Sequence, residues 1–194
     1  MARVVVFIAS SAEIKKSSIP AALGPHKISV CYTGLGKVRA TAAAYQQLTQ
    51  SSFDLAINLG TCGSHRFEVG TLVEAMSFVE RDVDLSAVGI PVGFFPGAEG
   101  KIVSEKKYLK NLPSAICGTG DRIDLVPPRV DCDIYDMEAF ALAFVCKKLS
   151  VPLVVIKFIS DSSVENVGTQ WKENLIRGQE SLLTQWHEIM NHLP

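Results

Sequence analysis

Residues 28–58 read ISVCYTGLGKVRATAAAYQQLTQSSFDLAIN, and the architecture can be built outward from them. Residues 28–32 are apolar and β-branched, the pattern of a buried strand. Gly34-Leu35-Gly36 interrupts that pattern, and the alanine-rich residues 38–48 favour helix. Residues 55–58 form a second short apolar run. Strand, glycine turn, helix and strand make a βαβ unit. Such units build parallel or mixed sheets covered by helices on both faces. Upstream, residues 4–8 read as a further buried strand. Downstream, residues 71–79 and 115–118 read as strands, and residues 153–160 as a nearly unbroken apolar strand, hence a central one. Asp136 can cap a helix over 137–149, and residues 171–192 form an amphipathic helix. Residues 86–100 hold Gly89, Pro91, Gly93, Pro96 and Gly97, a long loop of the kind that serves a site or an interface.

The chain has 194 residues, enough for one domain (1–194) with a sizeable core. Hydrophobic residues make up 47% and charged residues 20%, a globular balance. With a formal net charge of −1 and no long basic run, nothing points to nucleic acid. No apolar stretch is long enough to span a membrane. Arg3, the apolar run after it and Ser10-Ser11-Ala12 loosely imitate a signal peptide, but the run is short and a buried first strand is the plainer reading. Five scattered cysteines (31, 62, 117, 132, 146) without a C-x-x-C pair suggest reduced thiols and a cytoplasmic setting. His26, His65, His187 and His192 form no metal-ligand spacing.

Two glycine turns reach the expected sheet edge, Gly34-Leu35-Gly36-Lys37 and Gly60-Thr61-Cys62-Gly63. Both can offer backbone N–H groups to a ligand, or can simply be tight turns. Three acids stand out. Glu138 follows Asp136-Met137 at a helix start, where a carboxylate gains roughly 0.3–1 kcal/mol from the helix dipole. Asp161 ends the apolar strand before Ser162-Ser163, as a site acid or as an Asx turn or helix cap. Glu13 follows Ser10-Ser11, as a site acid or in the first turn of a short helix. Three acids without a metal motif fit proton transfer and charge stabilisation around a cationic transition state, the chemistry of glycosidic bond cleavage.

The ordered set of motifs resembles the nucleoside phosphorylase/nucleosidase superfamily. The segments are Ala9-Ser10-Ser11-Ala12-Glu13, Thr33-Gly34-Leu35-Gly36-Lys37-Val38, Ile57-Asn58-Leu59-Gly60-Thr61-Cys62-Gly63, Asp82-Val83-Asp84-Leu85-Ser86-Ala87-Val88-Gly89, Gly118-Thr119-Gly120-Asp121, Asp136-Met137-Glu138-Ala139 and Ile159-Ser160-Asp161. They look most like the hydrolase branch, the 5′-methylthioadenosine/S-adenosylhomocysteine nucleosidases and futalosine-type hydrolases. The resemblance implies a three-layer α-β-α sandwich with a mixed central sheet. It also implies a homodimer and no cofactor. It puts Glu13 at the water-activating position, Glu138 at the ribose hydroxyls with Met137 against the sugar, and Asp161 at purine N7 as proton donor. Thr61 falls near the ribose, Trp171 where an aromatic covers the nucleoside, and Leu35 and Ser160 against the substrate. Ile123 occupies the position of the base-stacking aromatic without its ring. Lys157 stands where many relatives have Arg, and Asp136 where a Glu is common. Phe94 and Phe95 lie in the region that in relatives reaches the partner's pocket. The chain is also shorter than typical relatives, around 20–27 and 97–107.

The resemblance implies cleavage of C1′–N9 with water as nucleophile. Phosphorolysis is the nearest rival. Against it, Asn58 stands where phosphorylases carry an Arg, and Glu13 would repel phosphate. A nucleoside-binding protein without catalysis is a second rival. Arg122 and Trp171-Lys172 favour a polar 5′ group such as that of 6-amino-6-deoxyfutalosine, of menaquinone biosynthesis, alongside methylthioadenosine and S-adenosylhomocysteine.

Overall fold

A computed structural model describes residues 1–98, 100–123, 125–126, 128–162 and 166–191. Residue 99 of the long loop, Ser163 and His192 therefore lie outside the described residues. The elements run β1 (Arg3–Ile8), β2 (Ala22–Leu23), β3 (His26–Tyr32), α1 (Lys37–Gln50), β4 (Leu55–Gly63), β5 (Leu72–Glu80), β6 (Ile102–Val103), β7 (Ser114–Thr119), β8 (Ile134–Asp136), α2 (Ala139–Lys148), β9 (Leu153–Asp161) and α3 (Val167–Asn191).

Alternation along the strands builds the layers, because successive side chains point to opposite faces. Val4, Val6 and Ile8 of β1, Leu55, Ile57 and Leu59 of β4, and Val154, Ile156 and Phe158 of β9 pack with Leu182, Trp186 and Ile189 of α3. Val5, Phe7 and Ala56 point the other way, onto Ala40 and Ala44 of α1 and Leu142 and Val145 of α2. The sheet is mixed and lies between helices, as the βαβ reading requires.

One half of the sheet closes on itself. β4 pairs in parallel with β9, β9 antiparallel with β5, β5 in parallel with β7, and β7 in parallel with β8. β8 returns to β4 through the single antiparallel pair Gly63–Tyr135. Val73, Phe78, Cys117, Ile134, Val155 and Ile159 form an apolar cluster from the strands of this ring. The other half is open, with β1 beside β4, then β3, then β2.

Several expectations need correction. Gly60-Thr61-Cys62-Gly63 is not a turn: β4 runs on through Gly63, held by parallel pairing to β9 up to Asp161. Gly60 matters there for space. A Cβ on it would lie 3.3 Å from Glu13 Oε1 and 3.4 Å from Lys157 Nζ. The helix expected over 137–149 begins at Ala139, because residues 134–136 form β8. Asp136 still caps it, accepting the Ala139 N–H at 2.8 Å. The last helix begins at Val167, which puts Trp171 in its second turn. Glu13 lies in a turn ahead of the short 3-10 turn Lys16–Ser18, and the long loop contains another at Ser86–Val88.

Candidate active site

Glu13, Glu138 and Asp161 line one cavity of about 300 Å³, and each is buried. The cavity sits where the strand ring closes. Thr61 and Gly63 come from the end of β4, Tyr135 and Asp136 from β8, and Ser160 and Asp161 from the end of β9. Leu35 precedes α1, Met137 and Glu138 bridge β8 to α2, and Trp171 reaches in from α3. Ile123 lies at the rim, 69% exposed.

Each acid is held by a different device. Glu13 is presented by a turn whose N–H bonds Ser10 O at 3.1 Å. Its Oε1 accepts the Thr61 N–H at 2.7 Å and the Thr61 hydroxyl at 2.6 Å. Its Oε2 is buried with no hydrogen-bond partner among the described residues. The Trp171 indole N–H donates to Thr61 Oγ1 at 3.0 Å. Glu138 occupies the N-cap position of α2 but makes no cap bond there. Its Oε1 instead accepts the Gly36 N–H, 2.9 Å away, at the start of α1. The neighbouring Lys37 N–H goes to Asp121 Oδ1 at 2.7 Å. Asp161 has the Ser160 hydroxyl 2.8 Å from its Oδ2, and that hydroxyl also lies 3.2 Å from Cys62 O.

Lys157 lies beneath the cavity and is not part of its lining. Its Nζ bonds Asp136 Oδ2 at 2.8 Å, with both side chains almost fully buried. Asp136 also accepts the Thr119 hydroxyl at 2.6 Å. Burial works against the Lys157 ammonium, but the charges of Asp136 and Glu138 more than offset it and raise its pKa above the ordinary lysine value. For Asp136, burial is likewise outweighed, by Lys157 and the hydrogen bonds from Thr119 and Ala139, and its pKa is lowered. Burial and then the Asp136 charge push Glu138 up to about 7, with Lys157 and the Gly36 N–H pulling the other way.

The lysine of Gly34-Leu35-Gly36-Lys37 is committed elsewhere. Its Nζ bonds Glu80 Oε1 at 2.9 Å and Asp82 Oδ1 at 2.6 Å. Phe94 and Phe95 are not brought to the cavity. They are about half exposed, and Phe95 borders a separate space of about 690 Å³ with Phe140 and Phe144. Among the described residues, that larger space gathers no comparable set of acids. Four lining residues stand in no motif of the sequence, Arg81, Tyr135, Val167 and Gly168. Arg81 Nε bonds Gly118 O at 3.1 Å, and its Nη2 bonds Arg122 O at 2.5 Å, so it ties down the loop under the cavity rim. Tyr135 stacks on His65 with centroids 5.4 Å apart. Tyr135 belongs to a three-residue strand, too short to show periodicity. Among the described residues no cluster of His, Cys, Asp and Glu is arranged to hold a metal ion, and no helix is long and apolar enough to cross a membrane.

No family model matches the chain. Individual relatives do. It is 31% identical over 176 residues to a 5′-methylthioadenosine/S-adenosylhomocysteine nucleosidase of Exiguobacterium, covering 79% of this chain and 75% of that protein. It is 30% identical over 151 residues to the nucleosidase of the same description from Anoxybacillus flavithermus, covering 66% of this chain and 65% of that protein. It is 28% identical over 169 residues to an aminodeoxyfutalosine nucleosidase of Helicobacter pylori, covering 77% and 74%. The matched stretch thus spans 65% to 75% of these relatives' lengths. In fold, the chain superposes with a TM-score of 0.91 at 22% identity on a Helicobacter pylori methylthioadenosine nucleosidase mutant bound to 5′-methylthioadenosine, covering 100% of both chains.

Proposed function

The chain belongs to the 5′-methylthioadenosine/S-adenosylhomocysteine nucleosidase family, and from that premise we propose that it hydrolyses the N-glycosidic bond of a 5′-substituted adenosine, releasing adenine. Asp161 delivers a proton to N7 as the bond to C1′ breaks, so that a neutral base departs. The ionised Glu138 holds the ribose hydroxyls and stabilises positive charge developing on the sugar. Met137, Leu35 and Ser160 border the substrate, Trp171 covers it, and Ile123 gives the base an aliphatic contact at the rim. Glu13 Oε2 takes a proton from water as that water attacks C1′. Such acid and base assistance is worth roughly 10²–10⁴-fold per group.

One observation favours hydrolysis over phosphorolysis. The backbone N–H groups that would cradle phosphate are already bonded to the chain's own carboxylates, Gly36 to Glu138, Lys37 to Asp121 and Thr61 to Glu13. The Lys37 ammonium is likewise engaged by Glu80 and Asp82. A phosphate ion arriving there would meet negative charge rather than free donors.

Arg122 lines the cavity and supports a polar 5′ substituent. On this reading 6-amino-6-deoxyfutalosine is turned over at least as well as methylthioadenosine. The half-exposed rings of Phe94, Phe95 and Phe144 support a homodimer. The test is adenine release from both nucleosides, with and without phosphate, by the parent and by Asp161→Asn. Free ribose sugar as co-product and loss of activity in Asp161→Asn are expected. A ribose 1-phosphate product would overturn hydrolysis, and an inactive parent would leave only binding.

A further inference from the structure

The second turn of α3 delivers an indole N–H to the end of β4, and the direction of the hydrogen bonds there follows from which groups can donate. An indole N–H donates and cannot accept. At 3.0 Å from Trp171 Nε1, Thr61 Oγ1 must be the acceptor. The single proton of that hydroxyl is then directed away from the indole, and Glu13 Oε1 lies 2.6 Å from the oxygen. Glu13 Oε1 also receives the Thr61 N–H at 2.7 Å. With two donors converging on Oε1, the rotation of the Glu13 carboxylate is fixed. The other oxygen, Oε2, is left buried and without a partner among the described residues.

We infer that Trp171 is a positioning residue for Glu13, acting through the Thr61 hydroxyl. The relay assigns the two carboxylate oxygens different work, Oε1 to hold the geometry and Oε2 to accept the proton of the attacking water. The inference rests on the hydrolytic reading of the site and adds to it a role that covering the substrate does not require. A phenylalanine would cover the cavity equally well and donate nothing. The relay also joins three parts of the chain remote in sequence, the turn after β1, the end of β4 and the start of α3. The α3 end of it is itself anchored to β9, because Asn174 Nδ2 donates to Ser160 O at 3.2 Å. General base catalysis needs the accepting oxygen within about 2.6–3.2 Å of the proton's carrier. A carboxylate free to rotate would satisfy that only part of the time.

The experiment compares Trp171→Phe, Thr61→Val and the double variant with the parent in steady-state turnover of methylthioadenosine. Each single variant is expected to lower kcat about tenfold, since Thr61→Val removes the charge-assisted bond to Glu13 and Trp171→Phe removes the indole bond that orients it, while KM moves by less than about threefold. The double variant should lose little more than either single one, since both break the same relay. Thr61→Ser keeps a hydroxyl and should lose less than Thr61→Val. A second measurement does not depend on turnover. The chain has two tryptophans, and their indole N–H resonances can be assigned in the parent. Glu13→Gln and Thr61→Val should each move the Trp171 resonance and leave that of Trp186, buried in the α3 core, in place. A Trp171→Phe enzyme with the parent's kcat, or a Trp171 resonance indifferent to both substitutions, overturns the relay. A parent that turns over no nucleoside while its Trp171 resonance responds to Glu13→Gln would instead overturn the hydrolytic reading and leave the relay standing.

Discussion

Glu138 is buried beside Asp136, and these two causes hold its carboxyl at about 7 instead of the ordinary 4.5. Lys157 and the Gly36 N–H offset part of that, and Glu13 adds to it. The folded chain therefore binds a proton that the unfolded chain has already released between those two values. Stability rises as pH falls from about 7 to about 4.5, and the gain is absent above 7. A difference of this size corresponds to about 3 kcal/mol. Glu138→Gln should thus stabilise the ligand-free protein at pH 8 and have little effect at pH 4.5, while adenine release collapses. Denaturant melts at the two pH values check this, and equal stability of variant and parent at pH 8 would refute it. The acid side of the parent's kcat/KM profile should fall near pH 7, where Glu138 loses its charge.

Asp136 and Lys157 each stand out as departures from the family pattern, but nothing in the sequence says that they meet. In the fold they bond at 2.8 Å as a buried ion pair. Glu138 and Asp161 were legible because each sits in a motif at an element's end, and Glu13 because it stands in the motif that follows β1. Arg81 and Tyr135 were not, because one follows a strand as an ordinary polar residue and the other lies in a strand of three.

Among the elements, α3 carries the longest reach. It packs along β4 and β9 and brings Trp171 to the cavity at its N-terminal end. It comes close to β9 at Gly178, where an added Cβ would lie 2.9 Å from Phe158 Cδ1 in a fully buried ring. In an open helix, Gly→Ala would gain up to about 1 kcal/mol. Here overpacking, at about 1–3 kcal/mol, opposes and exceeds that gain. Gly178→Ala should therefore destabilise the protein by about 1 kcal/mol, and a urea melt showing it more stable than the parent would remove the close seat. Long strands and helices were readable from their periodicity, and β1, β3, α1, β5, β7 and β9 fall close to where they were expected. The two-residue strands β2 and β6 and the three-residue β8 were not, because pairing with neighbours distant in sequence creates them. The continuation of β4 through Gly60 was hidden for a related reason: a glycine that clears room for Glu13 and Lys157 looks, in sequence, like one that breaks a strand.

For the whole molecule, the unabsorbed feature is the apolar surface around Phe95, Phe140 and Phe144, with Phe94 and Val88 also exposed. Rings left in water at this density are costly, and a second copy of the chain is the proposed cover. Sedimentation at micromolar concentration should give a dimer for the parent, and Phe144→Asp should shift it toward monomer. A monomeric parent would count against the proposal.

The closing of β4, β9, β5, β7 and β8 into a ring has one more consequence. Glu13 alone among the three acids stands outside that hoop and its immediate continuation, and it is bolted to the hoop through Thr61. On the proposed reading, the rim that meets the 5′ end of a nucleoside is made of other parts, the stretch holding Arg122 and the first turns of α3. Sequence drift in those parts can redraw which nucleosides are admitted without bending any strand that carries an acid. On the proposed reading, preference among substrates is thus free to diverge while the placement of the three acids is kept.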